Sequence, residues 1–308
     1  MSLSIPAMFD FQMRCYSSRI MNTHTSNSSL NQKQTILVIG ANGKTGKRVV
    51  KKLQEAGIQW KAASRSSETR FDWDDRKTWD AALEGTTGAY ITVYPDLSFP
   101  GVAEKVGVFA KLAVSKGCKR LVLLSGRGEE GAQDAENRLK SSGAEWIIVR
   151  CSVFNQNFSE SFQEAIRHGH LSMPVGDIQE PFIDTDDIAD VTFAALTDDR
   201  HIGQIYELSG PRLMTMQDVA EDLSTALGRT VLFHSVSVEA YAEELIQHGF
   251  SEEESLPVAQ LIADVLDGRN AYLTDGVQRA LGRPPKDFAD YARDAAAAGV
   301  WALEEVSS

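Results

Sequence analysis

Between residues 34 and 210 the apolar positions fall into short continuous runs separated by longer stretches at helical spacing. The runs are Thr35–Ile39, Ile58–Ser64, Ala89–Tyr94, Arg120–Ser125, Trp146–Arg150 and Ile205–Leu208. Most are aliphatic or β-branched, the pattern of strands buried on both faces. Lys47–Ala56, Asp75–Leu83, Val102–Lys116, Ala132–Ser142 and Asp186–Leu196 lie between them and repeat apolar residues every three or four positions. Gly57, Gly117 and Gly143 stop three of these helices, and Pro95 closes the run ending at Tyr94. Strand and helix in alternation predict an α/β fold: a Rossmann-type, doubly wound parallel sheet covered on both faces.

After Leu208 the pattern changes. Thr215 and Asp218 make a capping-box-like start to a helix that Gly228 ends. Val231–Val236 has strand character, and helices follow around 239–248, 257–267, 275–281 and 287–298. Residues 155–180 and 211–308 are therefore expected to form a smaller, mainly helical, substrate-binding lobe. A ligand belongs between that lobe and the carboxyl ends of the strands, where open α/β sheets bind. Residues 1–33 are rich in Ser, Asn, Thr and Met and lack periodicity. Arg14 and Arg19 against Asp10 would fit an organelle transit peptide, and Met21 an alternative start. The plainer expectation is a disordered N-terminal tail.

Composition narrows the classes. The 308 residues are 43% hydrophobic and 24% charged, enough for a large core with a lobe added. A net charge of −12 argues against nucleic acid or an anionic membrane as partner. Cys15, Cys118 and Cys151 show no metal-ligand spacing and fit a reducing compartment, so a cytoplasmic location is expected. His168 and His170 flank Gly169 as turn residues with no third ligand in view, so no metal is expected there. Asp184, Asp186 and Asp187 read as an N-cap ahead of Ile188. Oligomeric state is not legible.

The chemistry concentrates in Gly40-Ala41-Asn42-Gly43-Lys44-Thr45-Gly46, where the first strand turns into the first helix. Glycine lets the backbone turn sharply and approach a pyrophosphate, while helix N–H groups and the helix dipole hold the anion. Asn42 stands where G-x-G-x-x-G has its second glycine, and a tight turn without a ligand is the bland alternative. The flanking strand and helix favour a dinucleotide, making 34–154 plus 181–210 the NAD(P)-binding domain. The second strand ends in Ser64-Arg65-Ser66, with no carboxylate for a ribose 2′-OH. A guanidinium there suits a 2′-phosphate, and Lys44 adds charge, so NADP(H) is favoured over NAD(H). An ordinary exposed arginine is the alternative. Asp72 and Trp73 border an adenine or form a simple turn. Tyr94, Pro95, Ser125, Cys151, Val153 and Phe154, at strand ends, are the remaining expected cofactor contacts. Val153 and Phe154 fit core packing equally well, and Cys151 reads as a small buried residue rather than a nucleophile.

Five segments together resemble the NmrA-like atypical short-chain dehydrogenase/reductase family. They are the glycine turn; Leu121–Ser125; Arg150 with Phe154 and Asn157; Phe182–Ala189; and Tyr206–Pro211. Phe71-Asp72-Trp73-Asp74 followed by Thr78-Trp79 is similar to the ergot-alkaloid branch, the festuclavine and agroclavine dehydrogenases. That branch implies NADPH-dependent reduction of an iminium carbon. The resemblance also admits cofactor-sensing regulators. One departure is plain: none of Tyr16, Tyr90, Tyr94, Tyr206, Tyr241, Tyr272 and Tyr291 has lysine four residues on, so the usual Tyr-x-x-x-Lys acid/base pair is missing. Ser125, Tyr94 and Glu136 are the residual catalytic candidates. Glu136 would steady a substrate cation or, as favoured here, lie on a solvated helix face. Hydride addition to an iminium ion needs no proton transfer, and a quinone is the next easiest acceptor. Two functions follow: a reductase of an activated small-molecule acceptor, or an NADP(H)-binding redox sensor without turnover.

Overall fold

A computed structural model describes residues 34–94 and 96–303; the N-terminal segment 1–33 and Pro95 lie outside the described residues. The first unit is β1 (Thr35–Ile39), α1 (Gly46–Glu55) and β2 (Gln59–Ser64), followed by a two-residue β3 (Thr69–Arg70). Then come α2 (Trp79–Leu83), β4 (Gly88–Ile91), α3 (Val102–Ser115), β5 (Arg120–Gly126), α4 (Glu130–Lys140) and β6 (Glu145–Cys151). The short α5 (Asn157–Glu160) and α6 (Gln163–Arg167) lead to β7 (His170–Met173), α7 (Thr185–Thr197) and β8 (Ile205–Leu208). The chain continues through α8 (Met216–Leu227), β9 (Leu232–Ser235), α9 (Val238–Gln247), α10 (Glu252–Val265), α11 (Gly276–Leu281) and α12 (Phe288–Ala297).

Seven parallel strands form one sheet in the order β3-β2-β1-β4-β5-β6-β8. The chain winds outward in both directions from β1, so the switch point, where such sheets hold ligands, lies between β1 and β4. One face buries Leu37, Ala89 and Leu121 with Trp79, Val106 and Phe109 of the covering helices. The other buries Ile36, Val38 and Val122 with Val49, Leu53 and Ile188. A third core joins Phe158, Phe162 and Phe182 to Met214, Val219, Ile262, Phe288 and Trp301. Each large apolar side chain buried this way contributes roughly 1.5–3 kcal/mol. The Trp301 indole N–H also donates to the Phe158 carbonyl at 3.0 Å, fastening the segment after α12 onto α5. No described helix is long and apolar enough to cross a membrane.

Several expected boundaries move. The strand expected over 89–94 stops at Ile91. The Thr92 hydroxyl donates to the Ile39 carbonyl (3.0 Å), and the Thr92 carbonyl accepts the Trp73 indole N–H (3.0 Å), so side-chain bonds replace the ladder there. The helix expected from 257 begins at Glu252, and Pro257 lies inside it. Glu252, Glu253 and Glu254 fill its first turn, where carboxylates complement the dipole. His170 belongs to β7 rather than to a turn, and β7 pairs in parallel with β9 as a separate small sheet.

Candidate functional site

The glycine turn sits at the carboxyl end of β1. Gly40 adopts a left-handed conformation (φ 71°) and donates to the Ala63 carbonyl at 3.0 Å, while its own carbonyl accepts from Gly43 N at 2.9 Å. A Cβ on Gly46 would overlap that same carbonyl, so the start of α1 can pack onto the strand end only with glycine there. Asn42 and Gly43, by contrast, are exposed, and a Cβ on Gly43 would meet only the Gly40 oxygen, at 3.2 Å. The first turn of α1 holds no acidic residue, and Thr45 at its N-cap makes no side-chain capping bond. The buried Thr45 hydroxyl instead accepts from Tyr90 Oη at 2.9 Å. A helix start without a side-chain cap, behind an exposed glycine rim, is a cradle that fits a diphosphate.

Lys44 reaches across to α5, donating to Asn157 Oδ1 at 3.0 Å and standing 3.7 Å from Glu160, which Lys47 also meets at 3.2 Å. Ser64 shapes its own turn, its hydroxyl accepting from the backbone of Ser66 and Ser67. Arg65 is exposed, and its guanidinium stands 5.8 Å from the ring centroid of Tyr94, itself 47% exposed. Two residues far apart in sequence thus meet at the rim of the switch point. Asp72 accepts from Asp74 N (3.0 Å), and the Trp73 ring packs edge-on against Phe71 and Phe109 at 5.0 and 5.3 Å. The Trp73 ring therefore belongs to a core cluster, leaving backbone as what this turn can offer a base.

Ser125 and Glu136 do come together, but not as expected. Glu136 is 1% exposed, and the reading of a solvated helix face is overturned. It accepts from Ser125 Oγ (2.8 Å) and from Arg150 Nε and Nη2 (2.9 and 2.6 Å), while Arg150 Nη1 reaches Glu207 at 2.8 Å. These bonds to carboxylates hold the Arg150 guanidinium above its ordinary range. The spacing carried this signal: Glu136 shares the buried face of α4 with Ala132, Ala135 and Leu139.

Past the ends of β5 and β6 lie Arg127, where the chain leaves the fifth strand, and Glu180, which sequence reasoning passed over. The buried Arg127 donates to Ser152 Oγ (2.5 Å) and to the Tyr272 carbonyl (3.0 Å), its guanidinium 4.4 Å from the Tyr272 ring centroid. Glu180, 1% exposed, accepts from Val153 N at 3.3 Å; burial pushes its carboxyl up to about 7, though that bond and Arg127 pull the other way. Burial also pushes the Cys151 thiol up, so it stays an inert thiol. Val153 and Phe154 are half-buried, and Phe154 bridges Ile183. Val153, Phe158, Met173, Ile262 and Leu266 help line an apolar cavity of about 10 Å³, room for roughly one water. Asp184 caps α7 through Asp186 N (2.7 Å), and no metal-binding cluster occurs among the described residues.

Residues 133–267 match the NmrA-like family. The chain is 30% identical over 287 residues to an NAD(P)H azoreductase of Xenophilus azovorans, covering 85% of this chain and 98% of that protein. The chain belongs to the NmrA-like family. Another relative is the agroclavine dehydrogenase of Claviceps fusiformis, 30% identical over 282 residues, 84% of this chain and 96% of that one. In fold, this NmrA-like chain resembles the NADPH-dependent quinone oxidoreductase QOR2 of Escherichia coli in complex with NADPH. Their TM-score is 0.71 at 20% identity, over 84% of this chain and 99% of that one. It also resembles NmrA, a negative transcriptional regulator (TM-score 0.62, 18% identity, 88% and 100% covered). On α4 of this NmrA-like chain, Lys140 Nζ stands 4.0 Å from Glu136.

Proposed function

We propose that the protein is an NADP(H)-dependent reductase that delivers hydride to an activated small-molecule acceptor of iminium or quinone type. The observation that carries this reading is the turn at Gly40–Gly46: a glycine rim in front of a helix start with neither a capping side chain nor an acidic residue. The azoreductase and dehydrogenase named among its relatives support it.

In this reading the backbone from Gly40 to Gly46 holds the diphosphate, with Asn42, Gly43, Lys44 and Thr45 on the turn. Ser64 and Arg65 take the 2′-phosphate with Tyr94 beside them, Pro95 follows, and Asp72 and Trp73 border the adenine. Ser125, Cys151, Val153 and Phe154 lie toward the nicotinamide. The bound dinucleotide would supply a hydride. The chain's own contribution is to hold ring and acceptor face to face and exclude water. Ser125 is committed to Glu136, so it does not act in a Ser-Tyr-Lys relay. The apolar cavity beside Val153 admits about one water, too little for an acceptor.

Titration calorimetry with NADPH and NADH, followed by NADPH oxidation against preformed iminium ions and quinones, tests the proposal. Turnover with either acceptor is expected. Tight NADPH binding without any turnover would instead identify a redox sensor, and absence of binding would refute both.

A further inference from the structure

The carboxyl group of Glu129 has no role in the reading above. It lies so close over Gly126, the last residue of β5, that a Cβ on that glycine would overlap it. Its Oε2 is sealed from solvent and has no hydrogen-bond partner. Arg127, 3% exposed, leaves its Nε unpartnered. Asn270, 6% exposed, donates to the Arg127 carbonyl at 3.3 Å, while its own Oδ1 has no partner. An unused donor, an unused acceptor and an unused carboxyl oxygen thus stand on neighbouring residues. They lie beyond Ser125, at the end of the sheet where ligands bind.

The surrounding charges set the state of Glu129. Asp96, between β4 and α3, faces it while accepting from Ser98 N and Oγ at 2.8 and 2.7 Å. Glu136 of α4 faces it and is held by Arg150. Arg269, in the segment joining α10 to α11, is the nearby cation, but its Nε and Nη2 are engaged by Asp267 at 2.6–3.0 Å. Burial first, then Asp96, pushes the Glu129 carboxyl up to about 8, so it carries its proton at neutral pH.

We propose that Glu129 is the proton donor of this reductase, standing in for the missing Tyr-Lys pair toward acceptors whose reduction creates an anion. The inference rests on the reductase reading. A quinone that has accepted hydride is a hydroquinone monoanion. The Glu129 O–H bond breaks as its proton passes to that oxygen, leaving neutral hydroquinone and a carboxylate that solvent reprotonates. Both electrons come from the reduced dinucleotide, which leaves oxidised. An iminium ion becomes neutral on taking hydride and needs no such proton.

Glu129→Gln keeps the size and polarity of the side chain but removes the acid. The ratio of quinone to iminium turnover should fall roughly 100-fold. Wild-type quinone turnover should decline above about pH 8, as the raised pKa of the Glu129 carboxyl requires, and the variant should lose that limb. In protein without dinucleotide, the infrared difference between wild type and variant at neutral pH should show one protonated carboxyl. An unchanged ratio, or no such band, overturns the role of Glu129 while wild-type turnover leaves the reductase reading standing. A wild type that oxidises NADPH with neither acceptor brings down the reductase reading and this inference with it.

Discussion

Replacing Arg150 by methionine isolates the charge network behind Ser125. Glu136 is almost wholly buried, and two of its three described hydrogen bonds come from Arg150. Arg150→Met preserves much of the side-chain bulk but leaves that carboxylate, on the sheet-facing side of α4, with the Ser125 hydroxyl as its one described hydrogen-bond donor and the Lys140 ammonium 4.0 Å away. Breaking a buried pair in this way costs about 3–5 kcal/mol, because the desolvated charge loses its two hydrogen-bonded cationic contacts and keeps only the more distant Lys140. That lowers the folded-to-unfolded ratio by roughly two to four orders of magnitude. The companion change Glu136→Gln removes the charge and keeps an oxygen that can accept from Ser125. The double variant should therefore cost only about 1–2 kcal/mol, giving a coupling energy of roughly 2 kcal/mol or more in a double-mutant cycle. Urea unfolding followed by circular dichroism measures all four corners. If Arg150→Met costs less than about 1 kcal/mol, or the two changes simply add, the carboxylate is not held as described and the reasoning fails.

Four further outcomes are expected. Gly46→Ala should destabilise the fold by about 1–3 kcal/mol, since its methyl would overlap the Gly40 carbonyl. Gly43→Val should leave the melting temperature nearly unchanged while abolishing dinucleotide binding by calorimetry. Arg65→Ala should weaken NADPH roughly ten-fold or more and leave NADH nearly untouched, since a charged grip on phosphate contributes about 1.5–3 kcal/mol; equal losses would remove the 2′-phosphate role. Stability should also carry a signature of Glu180. The folded chain keeps its proton up to about 7, while the unfolded chain releases it near 4.5, so this group's contribution falls as pH rises through that window and levels off above it. Glu180→Gln should shrink that decline by about 3 kcal/mol, read from urea midpoints at several pH values; an unchanged slope would mean the carboxyl is ionised in the fold.

What the sequence disclosed, and what it withheld, divides along a physical line. The parallel sheet was legible because every central strand is buried on both faces, so its apolar run is continuous and cannot be moved without exposing it. The glycine turn was legible because Gly40 and Gly46 answer to backbone geometry, which depends on neighbours a few residues away. The overrun at 92–94 arose because Thr92 and Val93 favour strands locally, whereas the ladder ends where Thr92 finds Ile39 and Trp73, both remote in sequence. β3 and β7 were missed for a related reason: Thr69–Arg70 and His170–Met173 are too short for a period to show, and their partners define them.

Charged residues posed the harder problem. The sequence gives no prior reason for Glu136, Glu180 and Arg127 to be buried, because a charge is withdrawn from water only when a partner is in place. Those partners, Arg150, the backbone of Val153 and the carbonyl of Tyr272, come from other elements. Even so, position 136 was open to inference, since it lies on the same helical face as Ala135 and Leu139. A carboxylate on the buried face of an amphipathic helix implies a cation on the strand it covers, and Arg150 is the basic residue at the end of β6. Read in that direction, helical spacing locates a buried ion pair before any coordinates exist.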